Sequence, residues 1–85
     1  MVEPVDIMRK YYPNAEINLL HADYSETLDA VVEIYEIKDQ ELEDLCAKEL
    51  EKLTSMVREL DSIYRDICII RYDTDKESVI IEIIR

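Results

Sequence analysis

The sequence predicts an α+β fold: a four-stranded, mainly antiparallel sheet in ββαββ order, covered on one face by a long helix and preceded by a short N-terminal helix. Three observations carry this. Residues 39–64 repeat apolar side chains at helical spacing with no Gly or Pro. The segments on either side alternate as strands do. Those strands come as two sequence-adjacent pairs with short polar connections, the pattern of two hairpins packed under one helix.

Each element has a local reason. Pro4 suits the first turn of a short helix and Pro13 ends it, so residues 1–13 form the N-terminal helical segment. Residues 15–37 form the first hairpin. Its strands are AEINLLHA and LDAVVEIYEI, and Asp23-Tyr24-Ser25-Glu26 is the turn. The long helix, residues 39–65, opens on Asp39 as N-cap, with Glu41, Glu43 and Asp44 at the positive end of the helix dipole. Its apolar stripe joins Leu42, Cys46, Leu50, Leu53, Met56, Val57, Leu60, Ile63 and Tyr64, interrupted only by Glu49. The second hairpin, residues 66–85, pairs ICIIRY with SVIIEII across Asp73-Thr74-Asp75-Lys76-Glu77. The element order is palindromic, but no internal repeat of residue identity is read between the halves.

Alternation assigns the two sheet faces. Ile17, Leu19, Ala30, Val32, Ile34, Val79, Ile81 and Ile83 are expected against the helix. Leu20, Val31, Tyr35, Ile37, Ile80 and Ile84 are expected on the second face, mixed with Glu16, Glu33 and Glu82. A face meant for water should alternate polar-out, and this one carries too much branched aliphatic surface for that. Either the N-terminal helix covers it or another molecule does. Leu20, Val31, Tyr35, Ile37, Ile80 and Ile84 are therefore the candidate interface, and a homodimer, face to face or edge to edge, is the expected oligomer.

Composition narrows the function. The chain has 85 residues, one domain's worth, with 21 acidic against 10 basic side chains and a net charge of −11. Nucleic-acid binders show the opposite balance, so none is expected to bind directly; the charge favours a basic protein partner. Mimicry of nucleic-acid charge is a related form. Without any Gly, a phosphate-binding loop, a dinucleotide-binding turn and a nucleophile elbow are excluded, since each needs backbone that only Gly allows. No secretory leader or membrane span is read, so a cytoplasmic protein is expected.

Chemistry-bearing residues are sparse. His21 is the only histidine, with Asp23 beside it on the same strand face; without a nucleophile motif it makes no triad. Cys46 and Cys68 lack paired ligand spacing and are expected as buried free thiols. Asp73-x-Asp75-x-Glu77 begins like a calcium loop but lacks the Gly and the distal Glu, which leaves a hairpin turn with a weak cation option. Asp39, Glu41, Glu43 and Asp44 form a candidate acidic docking patch. The expectation is a non-enzymatic, cofactor-free interaction module that binds a basic partner. The alternative is a small-molecule or divalent-metal-binding protein or enzyme whose site forms at a dimer interface, built on His21, Asp23 and Tyr24, or on Asp73 and Asp75.

Overall fold

Two prolines confine the first helix. α1 runs Pro4–Tyr11, opened by the Glu3 N–H donating to the Asp6 carboxylate at 3.0 Å, and Pro13 follows it. Then come β1, Glu16–Ser25; β2, Ala30–Lys38; a 3-10 turn, Gln40–Glu43; α2, Ala47–Ile63; β3, Asp66–Asp73; and β4, Ser78–Ile84. This computed structural model describes residues 2–85; Met1, the first residue of the expected N-terminal segment, lies outside them. The strands form one antiparallel sheet in the order β1-β2-β4-β3. The predicted α+β architecture is present, with two hairpins joined through their second strands.

The long helix is shorter than expected. Asp39 does cap a helical start, its carboxylate accepting from the Glu41 N–H at 2.9 Å, but that start is the 3-10 turn. Asp44 is extended, and α2 begins only at Ala47. The chain leaves β2 in the plane of the sheet and must climb about 10 Å to the helix layer, which a continuous helix from Asp39 could not do. Leu42 anchors the climb. It is fully buried, and its carbonyl accepts from the Tyr72 hydroxyl at 2.5 Å.

Both helices lie on the same sheet face. Ile7, Met8 and Tyr12 from the N-terminal segment join Leu53, Met56 and Leu60 of α2 over Tyr35, Ile37, Val79, Ile81 and Ile83. α1 therefore packs beside α2 and does not cover the second face.

The parity of β2 is the main correction. Tyr35 and Ile37 are 7% and 0% exposed and sit under the helices, while Val32 and Ile34 point the other way with Ile80 and Ile84. The reason is Glu33, which alternation treats as a water-facing residue. Glu33 shares the inner face with Tyr35 and is 7% exposed, because Arg85 reaches it at 3.3 Å. Its cation lies far along the chain, and the one partner on β2 itself, the Tyr35 hydroxyl donating at 3.4 Å, leaves no mark on the alternation.

The pairing register shows a tandem αββ unit. β2 pairs with β4 about Tyr35↔Ile81, so a two-fold axis through that pair carries Ile34-Tyr35-Glu36-Ile37 onto Ile80-Ile81-Glu82-Ile83. The same axis carries Glu16-Ile17-Asn18-Leu19-Leu20-His21 onto Asp66-Ile67-Cys68-Ile69-Ile70-Arg71. The bulges at Leu20 and Ile70 then coincide. Each hairpin closes through a four-residue turn whose last residue, Asp29 (φ 50°) or Glu77 (φ 52°), is left-handed. No Gly is available for that position; Asp29 is among the side chains that tolerate it best, while Glu77 takes it without that advantage. The internal relation, which residue identity echoes only between Ile34-Tyr35-Glu36-Ile37 and Ile80-Ile81-Glu82-Ile83, is thus present in the fold.

One buried polar contact is imperfect. The Tyr12 hydroxyl and Glu49 Oε2 are buried without a protein hydrogen-bond partner, and the Lys52 ammonium lies 4.4 Å above the Tyr12 ring. Removing an unpaired buried hydroxyl removes a desolvation cost, so Tyr12→Phe is expected to leave stability unchanged or raise it by about 1 kcal/mol. Urea unfolding checks this, and a clear loss would mean the hydroxyl is partnered.

Burial pushes the Tyr12 phenol well up, with Glu49, Glu41 and Asp39 adding to it. Burial, then Glu33, pushes Tyr35 up to about 12. An unfolded tyrosine titrates near 10. Between about pH 10 and 12 the unfolded chain therefore holds fewer protons at these sites than the folded chain. Their contribution to stability is intact below about pH 10 and falls as pH rises through that window. Far-UV circular dichroism should show unfolding there, with late phenolate absorbance appearing in the same step. Full phenolate formation at pH 10.5 in a folded chain would contradict the burial.

Candidate functional site

The sheet face away from the helices is the candidate site, and the register builds it rung by rung. One central rung reads His21, Ile34, Glu82, Cys68 across the four strands. The next reads Asn18, Glu36, Ile80, Arg71. Asp23, Val32, Ile84 and Asp66 form the rung at one end, and Glu16, Lys38, Ser78 and Asp73 the rung at the other. With strands about 4.8 Å apart, Ile34 and Ile80 occupy one diagonal of a central square, and Glu36 and Glu82 the other. The two-fold axis of the repeat exchanges the members of each diagonal, and also exchanges His21 with Arg71.

This surface is apolar in the middle and acidic around it. Val32, Ile34, Ile80 and Ile84 are half-buried by their neighbours, with no element among the described residues above them. Glu16, Asp23, Glu36, Asp66, Asp73 and Glu82 outnumber Lys38 and Arg71. Three charges are partly engaged: Arg71 pairs with Asp73 at 3.2 Å, and Glu36 accepts from the Asn18 amide at 3.4 Å. The edges are interrupted. Leu20 and Ile70, 52% and 49% exposed, are the extra residues of bulges midway along β1 and β3. A bulge breaks the row of backbone groups that another strand would need.

The expected interface residues therefore divide. Ile80 and Ile84 stand on the open face, and Leu20 stands at its β1 edge. Tyr35 and Ile37 belong to the core. Val31 is 39% exposed on the helix side, beyond the end of the covered region. Sequence reasoning missed Val32, Ile34 and Glu36 as members of this face. The likeness of IYEI to IIEI could have found them, since Ile80 and Glu82 were already assigned there.

The remaining chemistry-bearing side chains are dispersed or occupied. His21 and Asp23 share the open face, but Tyr24 points to the helix side and its hydroxyl bonds to Asp29. Asp73 holds its own turn: Oδ1 accepts from the Asp75 and Lys76 N–H groups at 3.0 and 3.1 Å, and Oδ2 takes Arg71. Cys46 and Cys68 are free thiols but exposed, correcting the expected burial, because Cys46 precedes α2 and Cys68 lies on the open face. In the acidic patch, Asp39 caps the 3-10 turn and Glu41 pairs with Lys52, leaving Glu43 and Asp44 exposed without such roles. Among the described residues no group of three or more His, Cys, Asp or Glu is placed to hold a metal ion, and no helix is long and apolar enough to cross a membrane.

One open depression of about 700 Å³ lies at the sheet end below the 3-10 turn. Lys38, Lys52 and Lys76 line it, interleaved with Glu16, Asp39, Glu41 and Glu77. Its charges nearly cancel, and Lys52 is already held by Glu41. It presents no net preference for an anion or a cation.

Comparison with family models, with curated proteins and with solved structures gives no match for this chain.

Proposed function

We propose that this chain is a non-enzymatic protein-interaction module whose working surface is the open sheet face, and that its partner there is basic. The observation that carries the reading is the uncovered Val32, Ile34, Ile80 and Ile84 surrounded by carboxylates. Burying one such aliphatic side chain contributes about 1.5–3 kcal/mol. The flanking Glu36, Glu82, Asp23 and Asp66 select a partner of opposite charge.

The test compares the wild-type chain with Ile34→Lys/Ile80→Lys in pull-down from extract, with each retained protein then purified and titrated back. A partner of net positive charge, bound by wild type, lost in the double variant and weakened by salt, supports the reading. Binding that survives both the variant and high salt overturns it.

A homodimer through the same face is a second reading. His21 lies diagonal to Glu36 and Arg71 diagonal to Glu82, each one strand over and one rung away, so a rotated copy could set cation against carboxylate. The surplus of carboxylates opposes it, because stacking two like-charged faces costs several kcal/mol. Light scattering at low and high salt separates the cases: this dimer should appear only as salt screens the repulsion.

A further inference from the structure

We infer that the occupant of the open face is a lysine- or arginine-rich amphipathic helix of another protein, lying along β2 and β4 as a third layer. This rests on the interaction-module reading and names the partner's shape. Three observations select a helix.

The first concerns the edges. A peptide recognised as an added strand needs an unbroken sheet edge, and both edges here are bulged at Leu20 and Ile70. The second concerns side-chain type. Recognition of extended proline-rich segments, or of unstacked bases, relies on aromatic side chains. The rungs of the open face contain no tyrosine; Tyr35 and Tyr72 lie on the helix side.

The third concerns dimensions. The apolar track runs from the Val32/Ile84 rung through Ile34 to Ile80. Four strand residues span about 13 Å at 3.3 Å each. On a helix, residues i and i+7 or i+8 are about 10.5–12 Å apart at 1.5 Å each. Two to three turns of apolar stripe therefore match the track, and the polar flanks of that helix fall above the carboxylates on either side. α2 already covers the opposite face of these strands in the same way, through Leu53, Met56 and Leu60. Charge argues against a second whole copy: two such faces would set the carboxylate surplus of one against that of the other.

The experiment titrates the full chain, with isoleucine methyls labelled for NMR, against three synthetic 18-residue peptides. One is Leu/Lys with leucines at helical spacing. One has the same composition at alternating, strand-like spacing. One is Leu/Glu at helical spacing. The helical Leu/Lys peptide is expected to bind one to one, to shift the Ile34, Ile80 and Ile84 methyls, and to leave Ile37 and Ile81 unmoved. It should bind at least about tenfold more tightly than the alternating peptide. Glu36→Lys/Glu82→Lys, with an unchanged melting temperature, should lose that binding.

If the alternating peptide binds the same face equally well, the helix inference is overturned and the basic-partner reading stands. If neither basic peptide shifts these methyls, or the Leu/Glu peptide binds as tightly, both fall.

Discussion

Ile37→Lys is expected to unfold the domain, whereas Ile34→Lys, three residues earlier on the same strand, should leave it folded. Ile37 is fully buried among Val79, Ile81 and the helix residues, so a lysine there strands an unpaired charge in the core. Such a change exceeds about 4 kcal/mol, a large share of the 5–15 kcal/mol that holds a small domain together. Ile34 stands on the open face between His21 and Glu82, where a lysine reaches water and meets a carboxylate. Its cost should stay below about 1 kcal/mol. Circular dichroism and urea titration of the two variants give the comparison. Equal loss in both would mean that the open face is covered by the chain itself.

Arg85→Ala is expected to destabilise the fold by about 3 kcal/mol, because it leaves the Glu33 carboxylate buried without its cation. Arg85 holds Glu33 at 3.3 Å and Glu3 at 3.1 Å, and its guanidinium lies 5.4 Å from the Tyr64 ring centre. Its backbone N–H also donates to the Val31 carbonyl at 2.9 Å, continuing the β2–β4 ladder. A double-mutant cycle with Glu33→Gln isolates the pair. Most of the loss should disappear once the buried charge is gone. If Arg85→Ala costs as much in the Glu33→Gln background, the guanidinium acts through packing on Tyr64 rather than through Glu33.

These two variants mark where the sequence is legible. Helix and strand positions follow from periodicity and proline placement, and α1 and the strands stand near where those signals put them, except that β1 runs on through Asp23, Tyr24 and Ser25, whose polar composition reads as the turn. The face assignment holds for β4, whose Val79, Ile81 and Ile83 are buried and alternate with the half-buried Ile80, Glu82 and Ile84. It inverts for β2, where apolar side chains occur at both parities. The deciding residue there is Glu33, whose burial depends on Arg85. A long-range ion pair leaves no periodic trace. The helix start fails for a different reason. The stripe from Leu42 onward is helical in spacing, yet the climb out of the sheet forces extended backbone at Asp44. The candidate face was half visible, through Leu20, Ile80 and Ile84. The remainder needed the register that aligns the two αββ units.

That register also sets how the open face is laid out. Its Ile and Glu pairs are related by a two-fold axis through the centre of the sheet, so its apolar middle and its carboxylates repeat on either side of that axis. His21 and Arg71 occupy equivalent rungs, two strands from Glu82 and Glu36 respectively. The chemistry offered is a central apolar contact with carboxylates around it. That suits reversible, salt-sensitive association with a cationic partner.

The most direct measurement is relaxation of the isoleucine methyls by a soluble, neutral paramagnetic agent, with dilute chain alone and with saturating helical Leu/Lys peptide. In the free chain Ile34, Ile80 and Ile84 should be broadened strongly, and Ile37, Ile81 and Ile83 spared; with peptide the first three should become protected. Equal protection of Ile34 and Ile37 in the free chain, or continued broadening of Ile34, Ile80 and Ile84 in the complex, would contradict an open sheet face that receives a basic helix.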